Sequence, residues 1–365
     1  MWIGPAASAP RKYCAVSRSL LAILVLAIVV LAACGTARPP PELARAQRLE
    51  THGDDAGALG AYDGAVAACP HVRERLARQK VCAQAMAGRA FTLERLGRED
   101  DALHAWLDMA RARATESPDD AARALHEAAT LELRRGHDKP AYDLYWRVIV
   151  EHPDSTAADD SLRVVVRDGR RRNARELDKV LAQLFERQKD TELGDNLLWW
   201  RADLAEHELA DPRAALDLWD QIAARYPKGP IFDDALWNGA RLARAGGDPK
   251  GALKRLRQLV ATREEAFMVG SYHSVFLDDA QLELGMILRD DLGDGRAALT
   301  EFEQLSRDYY KDSVLRDDAL YQLARTQAAL GEPTAACATM ATLRKQFPDS
   351  KFLLEPEAAL AGCSK

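Results

Sequence analysis

Between residues 42 and 350, apolar residues recur three and four positions apart, the period of a helix with one buried face. A longer period lies over it. A small residue, usually glycine, is followed five positions on by alanine, four further by a large apolar residue, and three further by another. The sets are Gly53/Ala58/Tyr62/Ala65, Gly97/Ala102/Trp106/Met109, Gly136/Ala141/Tyr145/Val148 and Ala210/Ala215/Trp219/Ile222, then Gly247/Ala252/Leu256/Leu259, Gly293/Ala298/Phe302/Leu305 and Gly331/Ala336/Met340/Leu343. The interval from Ala141 to Ala215 is double the usual one, so a degenerate unit is expected between them, with Leu177, Val180, Leu181 and Leu184 on its second helix. Each position has a mechanical reason. Glycine ends the first helix in a left-handed conformation. Alanine lets the second helix approach closely, the larger residues fill the gap, and a proline such as Pro70, Pro153, Pro227 or Pro348 stops it.

This phase resembles the tetratricopeptide repeat, a helix–turn–helix unit of about 34 residues. The resemblance implies an all-α fold, a right-handed α-solenoid of about eight such units over 42–350, with 351–365 as a C-terminal capping segment. The junctions repeat as well: His152-Pro153 precedes Asp159-Asp160, Tyr226-Pro227 precedes Asp233-Asp234, Tyr309-Tyr310 precedes Asp317-Asp318, and Phe347-Pro348 closes the series. They are similar to those of bacterial periplasmic repeat lipoproteins, among them the helical lipoprotein of β-barrel assembly and the Tol–Pal-associated division coordinator.

The N-terminus calls for a compartment. Arg11, Lys12 and Arg18 precede an apolar stretch at 20–33 that is short for a membrane span, which needs about 20 residues. It ends Leu31-Ala32-Ala33-Cys34, which resembles a bacterial lipobox. The resemblance implies a signal peptide at 1–33, a lipid on Cys34, a lipidated linker at 34–41, and, with Gly35 rather than Asp next, an outer-membrane location facing the periplasm.

Composition narrows the remaining classes. A chain that is 47% hydrophobic has enough apolar surface to fold, and a net charge of -6 gives no overall attraction to nucleic acid. Of six cysteines, Cys14 leaves with the signal and Cys34 takes the lipid, leaving Cys69, Cys82, Cys337 and Cys363. Cys69 is expected to close a second helix and Cys82 to precede the next first helix. Two antiparallel helices turning near residue 350 bring 337 and 363 level. Neighbour pairing fits that geometry, and burial as free, small apolar residues is the alternative.

No metalloprotease, nucleophile-elbow, phosphate-loop or dinucleotide pattern occurs, and the histidines show no paired ligand spacing, so neither enzyme, metal, cofactor nor small-molecule substrate is expected. The pairs Asp159-Asp160, Asp233-Asp234, Asp278-Asp279 and Asp317-Asp318 read either as an acidic ladder for a basic ligand or calcium, or as carboxylates capping the helices they open, which their position favours. In the resembled family the first helix of each unit lines the concave face. There Trp199 and Asp203, Trp237 and Arg241, and Tyr321 and Arg325 offer ring and charge for a protein segment, or else pack between repeats. Arg163, Arg167, Arg170, Arg171 and Arg175 fall on one helical stripe, a candidate patch for lipid phosphates or an acidic partner, or a solvated face. The expected function is a non-catalytic, membrane-tethered scaffold binding periplasmic or outer-membrane proteins in envelope assembly or cell-wall coordination. Regulation in trans of a peptidoglycan enzyme, and a subunit of an export scaffold, are the alternatives.

Overall fold

The computed structural model describes residues 40–265, 274–308, 313–354, 360 and 363. Cys34, the expected signal peptide at 1–33 and nearly all of the expected linker at 34–41 lie outside them. The described residues are all-α, with no strand among them. Among the described residues fifteen α-helices follow one another, and the chain divides into two compact units, 1–147 and 148–365.

The first unit contains α1 (Pro41–Thr51), α2 (Asp55–Ala68), α3 (Arg75–Arg95), α4 (Glu99–Arg113), α5 (Pro118–Arg134) and the start of α6 (Asp138–Glu151). Consecutive helices pack against one another, and Leu43, Ala46, Ala58, Tyr62, Ala65 and Ala85 form the core shared by α1, α2 and α3. A buried cation joins two of its repeats. Arg113 is 3% exposed, and its guanidinium donates to the Gln79 carbonyl at 3.2 Å and to Asp120 at 3.1 Å.

The second unit contains the end of α6, then α7 (Thr156–Gln188), α8 (Gly194–His207), α9 (Pro212–Arg225), α10 (Phe232–Ala245), α11 (Pro249–Glu265), α12 (Leu277–Met286), α13 (Gly295–Asp308), α14 (Arg316–Ala329) and α15 (Pro333–Gln346). Within it, Leu236, Leu256, Leu259, Leu284, Ile287 and Phe302 form one continuous core. Helix α7 is two helices broken at Asn173 (φ -162, ψ 91), whose side chain accepts the Glu176 N–H at 3.1 Å and so caps the second segment. Counting those segments separately gives eight consecutive helix pairs. The repeating alanines are 0–1% exposed, and the large residue of every set is 0–3% exposed.

The left-handed turn residues are Gly53, Gly97, Gly136, Gly247, Gly293 and Gly331, with φ between 69° and 81°, and Ala210 at φ 51°. In each of these seven turns the backbone N–H of the next residue reaches back to the helix, five residues back as from Asp54 to Leu49 and from Asp248 to Ala243, or six as from Asp211 to Ala205 and from Asp294 to Leu288, which satisfies carbonyls left open at the helix end. The residue after the turn then caps the next helix: Asp54, Asp211, Asp248 and Asp294 each accept a backbone N–H three residues on, at 2.9–3.0 Å. Alanine in this conformation costs roughly 1–2 kcal/mol relative to its right-handed form, a cost that glycine escapes. Ala210→Gly is therefore expected to stabilise the α8–α9 hairpin by about 1 kcal/mol. Hydrogen exchange in α8 and α9 measures it, and unchanged or faster exchange would count against a strained turn.

Three expectations need correction. Cys82 does not precede its helix; it lies inside α3, which begins at Arg75. Val180 is 36% exposed, whereas Leu177, Leu181 and Leu184 are buried. The arginine stripe is not continuous, because the break at Asn173 separates Arg175 from the other four.

Candidate interaction surface and an acidic cleft

The rings expected to offer a binding face are largely occupied by one another. Trp237 stacks on Phe276 with centroids 5.4 Å apart. Tyr321 is 6% exposed and stacks on Phe352 at 4.3 Å, so neither face of its repeat presents a free tyrosine. Trp199 meets Trp200 and Trp219 edge-on at 4.7 and 6.2 Å. The charged members are engaged too. Asp203 pairs with Arg170 and with His207, Arg241 with Glu206, and Arg325 donates to Gln322 at 2.9 Å while lying 6.0 Å from the Tyr321 centroid. A half-buried aromatic gains more from covering its neighbour repeat than from waiting for a ligand.

The arginines of α7 divide in the same way. Arg163 bonds Asp159 at 2.6 Å, Arg170 is held between Asp203 and Glu208, and Arg171 lies 3.8 Å from Asp168. Arg167 and Arg175 are exposed. The structure thus does not gather the five into one cationic patch. It does bring the cysteines together as Cys69–Cys82 and Cys337–Cys363, with Cα atoms 5.2 and 4.8 Å apart.

The aspartate pairs have a function that sequence did not show. They stand in the first turns of α10, α12 and α14, but no side-chain cap forms at those helix starts. At α12 and α14 the first member instead faces the following junction. Ser313 donates to Asp278 at 2.8 Å, and Ser350 donates to Asp317 at 2.7 Å. The second members, Asp234, Asp279 and Asp318, have carboxyls raised from the ordinary value, above all by burial, which disfavours the charged form.

Within the second unit, a cleft of about 590 Å³ opens where α7, α8 and the loop before α10 meet. Pro153, Asp159, Asp160, Glu192, Asp195 and Tyr226 are among the residues lining it. Asp195 is 5% exposed and accepts the Asn196 N–H at 2.8 Å. Burial pushes its carboxyl up; backbone donors oppose that, while the charges of Asp159 and Glu192 add to it. Tyr226 closes one side by donating to the Lys189 carbonyl at 2.5 Å, an approach that requires Gly194, where a Cβ would lie 2.5 Å from the phenol oxygen. Among the described residues no group of three or more histidines, cysteines or carboxylates is placed to hold a metal ion, and no helix is long and apolar enough to cross a membrane.

Residues 318–350, which span α14 and α15, match the tetratricopeptide repeat family. No curated protein matches the chain. Among solved structures it is similar to YrrB, described as a TPR protein with an unusual peptide-binding site, at 14% identity over 67% of this chain and 94% of that one, TM-score 0.34. It is also similar to PilW, a widely conserved type IV pilus biogenesis factor, at 17% identity over 74% and 96%, TM-score 0.33. A tetratricopeptide repeat protein from Parabacteroides merdae aligns at 12% identity over 86% and 95%, TM-score 0.28.

Proposed function

We propose that this chain is a non-catalytic platform for binding protein segments, tethered through a lipid on Cys34 to the periplasmic side of a bacterial outer membrane. The observation behind the first half is the succession of helix pairs in each unit, whose repeated alanine and large apolar positions are buried in packing while their other faces stay open to solvent. Such a fold supplies surface rather than a reaction centre. The ordered sequence of basic residues, apolar stretch and Leu-Ala-Ala-Cys motif supports the tether. Two or more acyl chains hold a protein stably at a bilayer and raise its effective concentration beside membrane partners. Envelope assembly or cell-wall coordination is the setting in which a tethered periplasmic platform has use.

The test is metabolic labelling with a fatty acid, combined with crosslinking and affinity capture from the native envelope. Labelling that is lost in Cys34→Ser, and recovery of a discrete set of envelope proteins by the wild type, are the expected results. An unlabelled wild-type chain would remove the tether, and capture of no envelope protein would remove the platform. Recovery of peptidoglycan synthases or hydrolases alone would assign regulation in trans.

A further inference from the structure

The charges of the first unit are unevenly answered. Between the cysteines of Cys69–Cys82, Arg73, Arg75, Arg78 and Lys80 are accompanied by a single acidic residue, Glu74. Glu74 is taken up by the start of α3, where its carboxylate accepts the Leu76 N–H at 3.1 Å and the Ala77 N–H at 2.7 Å. Arg78 donates to the Val72 carbonyl at 3.3 Å, and none of the four cations is ion-paired among the described residues. Further along the same helix the arginines do have partners: Arg89 pairs with Asp63 at 2.6 Å and Arg95 with Asp55 at 2.8 Å. Gln79 donates to the Glu116 carbonyl at the next junction, but the carboxylates of Glu116 and Asp120 are held there by the buried Arg113.

Leu76 stands among these cations and is 72% exposed. Leu76 and Lys80 lie one turn apart on α3 and so share a face, with Arg75 beside them. A lone exposed leucine is ordinary, and so is a solvated charge. An apolar side chain among unanswered cations is different. It matches a bilayer surface, where headgroup phosphates meet the cations and the acyl boundary takes the apolar residue.

The place of the patch in the unit agrees. Helices α1 and α2 run antiparallel, since a Cβ at Gly64 would lie 3.4 Å from Cγ of Glu42. The chain therefore returns, at Cys69, to the end of the unit at which α1 begins, and the bond to Cys82 fastens the patch there. Six residues separate Cys34 from Pro41, a reach of about 25 Å at full extension. A lipid on Cys34 would hold this end of the unit beside the bilayer.

We propose that the start of α3 is a bilayer-docking surface, in which Arg73, Arg75, Arg78 and Lys80 bind anionic phospholipid headgroups and Leu76 enters the acyl boundary. The inference rests on the tether reading and adds which side of the first unit lies against the membrane.

The experiment uses the full-length acylated protein in vesicles of phosphatidylcholine, with or without phosphatidylglycerol, and follows hydrogen exchange over residues 71–84. With phosphatidylglycerol, the first turns of α3 should exchange about tenfold more slowly than without it, and added salt should remove the difference. The triple variant Arg73→Gln/Arg75→Gln/Lys80→Gln should abolish the slowing, and Leu76→Ser should reduce it roughly threefold. Lys250→Gln/Lys254→Gln/Arg257→Gln, which removes as much charge from exposed positions of α11, should leave it unchanged. Circular dichroism, with unaltered exchange in α4 and α5, verifies that the variants fold. Equal exchange in the two vesicle types, or as large a loss in the α11 variant as in the α3 variant, would overturn the proposal. So would slowing by soluble polyglutamate but not by anionic vesicles, which would assign the patch to an acidic protein. A Cys34 that takes up no fatty acid would remove the tether and the docking surface with it. A lipid-bearing chain with equal exchange in both vesicles would keep the tether and remove only the docking surface.

Discussion

Replacing Phe302 with alanine is expected to destabilise the α12–α13 hairpin by about 3–5 kcal/mol. The ring is fully buried at the centre of the core that joins α10 through α13. It lies against Gly285 of α12, where an added Cβ would overlap the ring carbons, and the Arg289 guanidinium covers it 5.6 Å from the centroid. Neither helix can close on the space left by the ring without losing its contacts with the neighbouring pairs, so a cavity remains. Gly285→Ala approaches the same contact from the other side and should cost about 1–3 kcal/mol by overpacking. Because the two residues touch, Gly285→Ala combined with Phe302→Leu should cost less than the sum of the single changes. Repeat arrays open segment by segment, so hydrogen exchange resolved to α12 and α13 is the appropriate measurement. Wild-type protection in Phe302→Ala would show that this core does not hold the hairpin together.

The second large effect belongs to Cys337–Cys363. Its closed loop spans a sequence separation of 26 residues, for which the chain-entropy model gives about 3.5 kcal/mol. Cys363 and Leu360 are buried against Leu320, Tyr321, Met340 and Leu343, so the bond fastens the last repeat to the segment that covers its outer side. A terminal repeat has only one neighbour and depends more on such a fastening than an interior one does. Cys337→Ser should accelerate exchange throughout α14 and α15 while leaving α10 and α11 unchanged. Reduction of the wild type should do the same, with an additional loss around Cys69 and Cys82, where the separation is 13 residues. Equal protection of α14 and α15 in the oxidised wild type and in Cys337→Ser would show that packing alone secures the end.

Much of this was legible in sequence because the repeat signals are local. Ala58, Tyr62 and Gly53 report their roles within a dozen residues, and the structure places each as its spacing implies. The fourth pair was harder. It has no glycine turn, and Asn173 both breaks and caps the chain there, so continuous helical periodicity hid the break. Features that depend on a partner one repeat away were beyond reach. The spacing of Trp237 does not disclose Phe276, 39 positions on, as its cover, and Asp278 gives no sign of Ser313. Cys82 was misplaced because α3 starts earlier than its repeat phase suggests.

The two disulfides also bear on what happens when the chain is pulled. A solenoid loaded along its length lengthens by peeling hairpins apart, and each released residue adds about 3.4 Å. The bond between Cys337 and Cys363 withholds the chain between them, on the order of 90 Å of slack, from any such extension until it is reduced. Cys69–Cys82 withholds roughly half as much near the other end. Tension would therefore be relieved only in the chain outside these two closed loops, and reduction would release the withheld length as a separate, later step.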